Sequence, residues 1–138
     1  MTTTLHSENK LLVAMELSNT KWRLAFSSPN DRKLRQKVVA ARNRDGFLAE
    51  INLAKRKLEL PENVPVVCCY EAGRDGFWIQ RWLESEGIEC LILDPASIEV
   101  NRKKRRAKTD RLDAESLVRL LKRYLSGDED VFSVVRAP

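Results

Sequence analysis

Three hydrophobic runs near the start of the chain predict an antiparallel meander. The run LLVAMELS, residues 11–18, is apolar at both alternating positions except at Glu16, which is typical of a strand covered on both faces. KWRLAF (21–26) and KLRQKVVA (33–40) alternate apolar and polar residues, and SSPNDR between them supplies turn residues. We therefore expect three consecutive antiparallel strands.

The pattern then alternates between helix and strand. Residues 43–60 carry apolar side chains at helical spacing, and this stripe ends before Pro61. VPVVCCY (64–70) and IECLILD (88–94) predict two buried strands, and the segment between them predicts a helix with Asp75 as N-cap and Gly87 at its end. Crossover connections of this kind indicate an α/β fold, a mixed five-stranded sheet with helices on its faces.

A last helix is predicted from Thr109, as N-cap, to Ser126, with Gly127 as its stop. After it, DVFSVVRAP resembles the beginning of another strand. We expect residues 1–10 to be a flexible leader and residues 11–138 to form one domain, excised from a longer protein. Trp78 and Trp82, four residues apart with Ile79 and Leu83, are interpreted as core residues and not as base-stacking platforms.

Composition narrows the function classes. The 138 residues suit one domain, and the net charge of +5 with a pI near 9.3 is compatible with a polyanionic partner.

The three cysteines form no CxxC pair, which indicates buried free thiols in a reducing cytoplasm. No signal peptide or membrane-spanning run is present, so we expect a cytoplasmic protein without a membrane partner. Because His6 is the single histidine, a His-based metal site or a Ser-His-Asp triad is excluded.

Four carboxylates remain as candidate chemistry: Glu16, Glu71, Asp110 and Asp113. Glu16 interrupts a buried strand, and Glu71 stands at the carboxyl end of another, where open sheets place ligands. On the predicted helix Asp110 and Asp113 share the face of the apolar stripe, where a carboxylate needs a compensating partner. Two Mg²⁺ or Mn²⁺ ions bound by these acids would support attack at a phosphodiester. Individually, Asp110 could simply stabilise a helix start, and Glu71 could be an exposed loop residue.

A basic run directly precedes the two aspartates. It contains six cationic side chains: Arg102, Lys103, Lys104, Arg105, Arg106 and Lys108. Such a run can be merely solvated, but its position beside the acids favours contact with nucleic-acid phosphates, to which Arg74 would add another.

Three segments of the chain, YEAGRDGFW, GIECLILDPASI and RRAKTDRLDAE, resemble the N-terminal domain of the DEDD transposases of the insertion-sequence-110 family. MELSNTKWRLAF matches the family's opening strand more loosely. The resemblance implies an RNase H-like (RuvC-like) domain in which Glu71, Asp110 and Asp113 bind divalent metal for DNA strand cleavage and exchange. Glu16 falls on the first acid, where many members have aspartate.

The resemblance also implies partners. Relatives continue into a second domain that carries a nucleophilic serine, act with a structured guide RNA on transposon and target DNA, and assemble as homo-oligomers. Two alternatives stay open. One is a nuclease of the Holliday-junction-resolvase type, and the other is a nucleic-acid-binding module without activity. A sugar kinase of the related actin-like fold is disfavoured because glycine-rich phosphate loops are absent from the sequence.

Overall fold

The computed structural model of the chain describes residues 9–73, 75–98 and 112–136. Within these ranges one mixed sheet contains six strands: β1 (Leu11–Leu17), β2 (Lys21–Ser28), β3 (Asp31–Ala40), β4 (Val66–Glu71), β5 (Glu89–Leu93) and β6 (Val134–Val135). Three α-helices pack on it: α1 (Arg44–Lys57), α2 (Trp78–Ser85) and α3 (Ala114–Leu125). Short 3-10 turns occur at Pro95–Ser97 and Glu129–Val131. The α/β prediction is confirmed.

The strands lie in the order β3-β2-β1-β4-β5-β6. β1, β2 and β3 form the predicted antiparallel meander, while β4 and β5 run parallel to β1. The prediction of five strands is corrected to six for the described residues, because β6 pairs antiparallel with the end of β5. Because β6 has only two residues, it gives no periodic signal, and the sequence indicated only the beginning of a strand there.

Helices α1 and α2 cover one face of the sheet and enclose the larger core. Asn43 caps α1, since its side chain accepts the N–H of Gly46. The prediction that Asp75 caps α2 is wrong: the N-cap is Phe77, without a side-chain cap bond, and Asp75 lies in the preceding turn. The Tyr70 hydroxyl donates to the Gly76 carbonyl at 3.0 Å, which ties that turn to β4.

Aromatic side chains dominate this larger core. Trp22 is fully buried, and its ring centroid lies 6.2 Å from Phe47, 6.0 Å from Trp78 and 6.5 Å from Trp82. The core interpretation of Trp82 is therefore confirmed, and the partly buried Trp78 packs against the same cluster. The Arg44 guanidinium lies over both helix tryptophans, 5.4 and 5.6 Å from their centroids, and covers the cluster from solvent.

Helix α3 covers the opposite face and begins later than predicted. It starts at Ala114 with Asp113 as N-cap, so the prediction that the helix includes Leu112 and Asp113 is wrong. Thr109, the predicted cap, lies outside the described residues. The C-terminal end agrees with the prediction, because Ser126 is the C-cap and Gly127 has φ of 116°.

The three cysteines lie inside the sheet layer as free thiols, as predicted. Burial is the main cause that raises the pKa of Cys68 and Cys69 well above the ordinary value, and it raises the pKa of Cys90 to about 12. Thiols held in the neutral form are poor nucleophiles and poor metal ligands. Among the helices of the described ranges, none has both the length and the apolar character needed to cross a membrane.

Candidate acidic site

Glu16 and Glu71 occupy matching places on two neighbouring strands. The register of parallel strands β1 and β4 pairs Met15 with Tyr70, and each glutamate is the next residue along its strand. Met15 and Tyr70 belong to the core beneath α1 and α2, so strand alternation turns both glutamates toward the α3 face. The two carboxylates therefore lie side by side at the carboxyl ends of β1 and β4. Glu71 is 5% exposed and Glu16 is partly buried.

Both carboxylates bind the backbone where α3 begins. Glu71 Oε2 accepts the N–H of Leu112 at 3.2 Å, and Glu16 Oε1 accepts the N–H of Ala114 at 3.3 Å. Ala114 is the first helical residue, so its N–H has no acceptor within the helix. The positive end of the helix dipole adds a favourable interaction with the two negative charges. The acids thus fix α3 over β1 and β4.

Asp113 lies between the two residues whose amides contact the glutamates, but its own carboxylate points elsewhere. Its Oδ1 accepts the Ser116 N–H at 2.7 Å, and the residue is exposed. The expectation that Asp113 shares the buried face of Leu117 and Leu121 is wrong, because Asp113 precedes the helix and has extended backbone angles. It is adjacent to the glutamate pair without joining it as a third buried carboxylate.

The space beside the two glutamates is narrow. Six residues line a depression there: Met15, Glu16, Leu17, Glu71, Leu112 and Leu117. It has no room for a water molecule. Within the described ranges, no group of three or more His, Cys, Asp or Glu side chains is placed to hold a metal ion. The structure brings Glu16 and Glu71 together, places Asp113 one residue away from the amides they bind, and leaves the other predicted ligand undescribed.

The remaining predicted site residues lie outside the described residues. These are the fourth acid, Asp110, and the seven predicted phosphate contacts: Arg74, Arg102, Lys103, Lys104, Arg105, Arg106 and Lys108. Their roles remain predictions.

Two features of the site escaped sequence reasoning. The backbone amides of Leu112 and Ala114 act as its hydrogen-bond donors, and nothing in their side chains signals this role. Arg23 is the Cα partner of Glu16 across β1 and β2, and cross-strand partners share a face. The alternation in KWRLAF places Arg23 on the other face of the strand from the buried Trp22. Pairing this strand with LLVAMELS from the sequence would therefore have identified Arg23 as a neighbour of Glu16. Arg23 is exposed and adds positive charge beside the acids.

The known proteins to which this chain is similar are named transposases. The chain is 42% identical over 131 residues to a Sinorhizobium fredii protein named "Putative transposase y4rJ", covering 93% of this chain and 33% of that protein. It is 30% identical over 129 residues to the "Transposase for insertion sequence element IS1533" of Leptospira borgpetersenii, covering 92% of this chain and 35% of the relative. A second S. fredii protein, "Putative transposase y4qE", is 44% identical over 57 residues, which is 41% of this chain and 14% of that protein.

The similarity to the first two relatives runs through nearly the whole chain and therefore includes the strands and the helix start that build the acidic site. The chain spans about a third of the length of these relatives. No protein-family model matches it.

Proposed function

We propose that this chain is a catalytic region of a transposase, in which Glu16, Glu71, Asp110 and Asp113 bind divalent metal for DNA strand cleavage and exchange. The observation that carries the proposal is the placement of Glu16 and Glu71 side by side at the carboxyl ends of β1 and β4. Similarity to transposases along almost the entire chain supports the same assignment.

The strand order supports an RNase H-like, RuvC-like fold. A mixed sheet with an antiparallel three-strand meander and flanking helices is what the resemblance to DEDD transposases implies. In this chain the meander is followed by strands parallel to β1, in the order β3-β2-β1-β4-β5. In such a sheet the first and fourth strands are central neighbours, so acids at their ends come together although 55 residues separate them in sequence (71 − 16). The short β6 extends this arrangement at one edge.

The donor set of the site suits Mg²⁺ or Mn²⁺. Carboxylate oxygens are hard ligands, and two of them on rigid strands provide a fixed base for an ion. When bound, the metal supplies Lewis-acid activation of a nucleophile and stabilisation of the leaving oxygen. Glu16 and Glu71 would hold the ion, and Asp113, whose neighbours Leu112 and Ala114 donate to these glutamates, would be a further ligand. Because the depression is too narrow for a water molecule, the backbone at Leu112–Ala114 would have to shift for the ion to enter.

The other parts of the proposal concern partners. The basic residues from Arg102 to Lys108 precede Asp110 in the sequence, and we assign them to contacts with the phosphates of DNA or of a structured guide RNA. Because the relatives are about three times as long, strand exchange is proposed for a longer protein with a serine-bearing second domain, acting as a homo-oligomer.

Paramagnetic Mn²⁺ tests the metal site directly. In the isotopically labelled 138-residue chain, Mn²⁺ should broaden the amide signals of Leu112 and Ala114, which contact the carboxylates, before signals of the sheet's far edge. Glu16→Gln and Glu71→Gln should each weaken Mn²⁺ binding by about tenfold or more, since one charged ligand is lost. Glutamine keeps an acceptor for the backbone amide, so the helix start is preserved.

Glu84→Gln is the matched control, because Glu84 is an exposed carboxylate on α2. It should leave Mn²⁺ affinity unchanged. If Mn²⁺ broadens no signal near α3, or if all three variants bind it like the unmodified chain, the metal-site proposal fails.

A nucleic-acid-binding module without metal chemistry is the second candidate. It is favoured by the bonds that Glu16 and Glu71 already make to the backbone and by the narrow depression, both of which assign the acids a structural role. Absence of Mn²⁺ binding combined with retained nucleic-acid affinity would establish this candidate instead.

A further inference from the structure

A groove on the α1 side of the sheet has a strongly basic lining. It lies between edge strand β3 and the C-terminal end of α1, has a volume of about 480 Å³ and is open to solvent. Four cationic side chains line it: Lys33, Arg35, Lys37 and Lys57. We refer to it as the β3 groove. It is separate from the acidic site, which faces α3.

Strand register explains why the cations share one wall. Arg35 pairs with Phe26 and Lys37 with Leu24, and both of these partners belong to the core beneath α1. Arg35 and Lys37 are two residues apart in sequence, so their side chains leave the same face of β3 about 6.7 Å apart. This interval is close to the spacing of successive phosphates along a nucleic-acid strand. Lys33 also lines the groove, from the irregular stretch of β3 between the pairs Phe26–Arg35 and Ser28–Asp31. Lys57, the last residue of α1, adds a cation from the opposite wall.

The charges in the groove are largely uncompensated. The Arg35 guanidinium makes one ion pair, with Glu50 of α1 at 3.5 Å, and its Nε has no hydrogen-bond partner in the described part of the chain. Lys33, Lys37 and Lys57 are exposed and make no ion pair with any residue the structure describes. Among the described residues that line the groove there are four cations and no carboxylate, so the groove is a focus of positive potential.

Protection of the sheet edge does not require this arrangement. Charged residues do prevent edge strands from pairing with other chains, but a single inward-pointing lysine or a bulge suffices for that. In the β3 groove Arg35 and Lys37 share one face of the strand, Lys33 lies next to them in sequence, and a helix supplies the second wall. Cationic side chains on both walls of a groove are expected of a surface that binds an extended anionic chain.

We propose that the β3 groove binds the phosphate backbone of a nucleic-acid strand. This surface is additional to the acidic site and to the basic run of residues 102–108. β3 is two strands away from β1, about 10 Å across the sheet, and the groove lies over this edge of the sheet beside the end of α1. A strand bound in it would lie outside the acidic site and would position the domain on a longer nucleic acid. The proposal rests on the proposed function only in that this chain acts on nucleic acid.

Salt dependence of binding tests the groove. Affinity for a fluorescent single-stranded RNA, a single-stranded DNA and a DNA duplex of one sequence is measured over a range of salt concentrations. The triple variant Lys33→Gln, Lys37→Gln, Lys57→Gln should make the slope of log affinity against log salt shallower by about two for single strands, at ~0.7 per lost phosphate contact. Arg35 is retained because it is mostly buried and paired with Glu50.

The control removes the same charge elsewhere. Arg81, Arg119 and Arg136 are exposed and lie on α2, on α3 and after β6, so their change to glutamine alters net charge equally. The control variant should change the slope of log affinity against log salt by less than half of the change that the groove variant produces. If the groove variant loses affinity only for the RNA probe or only for the DNA probes, that result identifies the nucleic acid that the groove binds. If it loses affinity for all probes, the groove makes a general contact with the phosphate backbone. If groove and control variants bind alike, the inference is overturned.

Failure of this inference and failure of the proposed function give different results. Mn²⁺ binding at Glu16 and Glu71 does not depend on the groove, so the groove variant should bind Mn²⁺ normally. A chain that binds Mn²⁺ but whose nucleic-acid affinity is insensitive to the groove variant would retain the proposed function and lose the groove. Circular dichroism on each variant, and on each single substitution, verifies that the fold is unchanged.

Discussion

Glu16 and Glu71 accept hydrogen bonds from backbone amides only two residues apart, those of Ala114 and Leu112. Two strands of the sheet are thereby tied to one helix end through their carboxylates. The acids that are candidates for metal binding are also the acids that position α3. Structural and chemical roles are therefore coupled at this site, and experiments must separate them.

Removing either carboxylate should loosen the start of α3. We expect Glu71→Ala to accelerate amide hydrogen exchange of Leu112 by about tenfold or more, because a hydrogen bond to a charged acceptor contributes ~1.5–3 kcal/mol. Glu16→Ala should do the same for Ala114. The glutamine variants, which keep an acceptor, should exchange more slowly than the alanine variants. Unchanged exchange at both amides would show that these bonds do not hold the helix.

Asp113 should behave as a helix cap. Asp113→Ala removes the acceptor of the Ser116 N–H and should lower the free energy of unfolding by about 1 kcal/mol, measured by urea denaturation. Asp113→Asn retains a good cap and should be close to neutral. Equal destabilisation by both variants would mean that the negative charge, and not the cap bond, is what the fold requires.

The aromatic core should be the most sensitive part of the fold. Phe47 is fully buried against Trp22 and Trp82, so Phe47→Ala should lower the free energy of unfolding by about 3–5 kcal/mol through lost contacts and a cavity. Val38, which is 49% exposed, provides the control. Val38→Ala should change the free energy of unfolding by less than ~0.5 kcal/mol. Similar denaturation midpoints for the two variants would contradict this account.

Stability should fall in alkaline solution because of the buried thiols. The unfolded thiols lose their protons near the ordinary pKa of 9.0, whereas Cys90 in the folded chain does so only at about 12. Proton release therefore favours the unfolded state above pH 9, so this stabilisation is complete below pH 9 and is lost as pH rises toward 12. Each such thiol contributes up to ~1.4 kcal/mol per pH unit in that range.

Urea denaturation below and above pH 9 measures this effect, and Cys90→Ala is the comparison. The variant has one thiol fewer, so its stability should fall less steeply with pH than that of the unmodified chain. Identical pH dependence in the two proteins would show that Cys90 ionises as readily in the folded state as in the unfolded one.

The fold followed from sequence where local patterns were long. The meander and the strands within LLVAMELS and VPVVCCY could be predicted because alternation or continuous burial persists over a whole strand. The start of α3 could not. Thr109 and Asp113 both have side chains suited to an N-cap, and helical spacing fits either start, so local propensity does not choose between them. Asp75 was assigned as a cap for the same reason, and the turn that follows β4 excluded it.

Local patterns along the chain were enough to predict the α/β class, the antiparallel meander, the buried thiols, and Glu16 and Glu71 as carboxylates in unusual places. Tertiary structure alone decided that these two carboxylates meet, that they bind the start of α3, and that the cations of β3 face Lys57 across a groove. The physical reason is that polarity and periodicity act between near neighbours along the chain. Which remote residues become partners depends on strand register and helix placement, and these are set by packing the whole core.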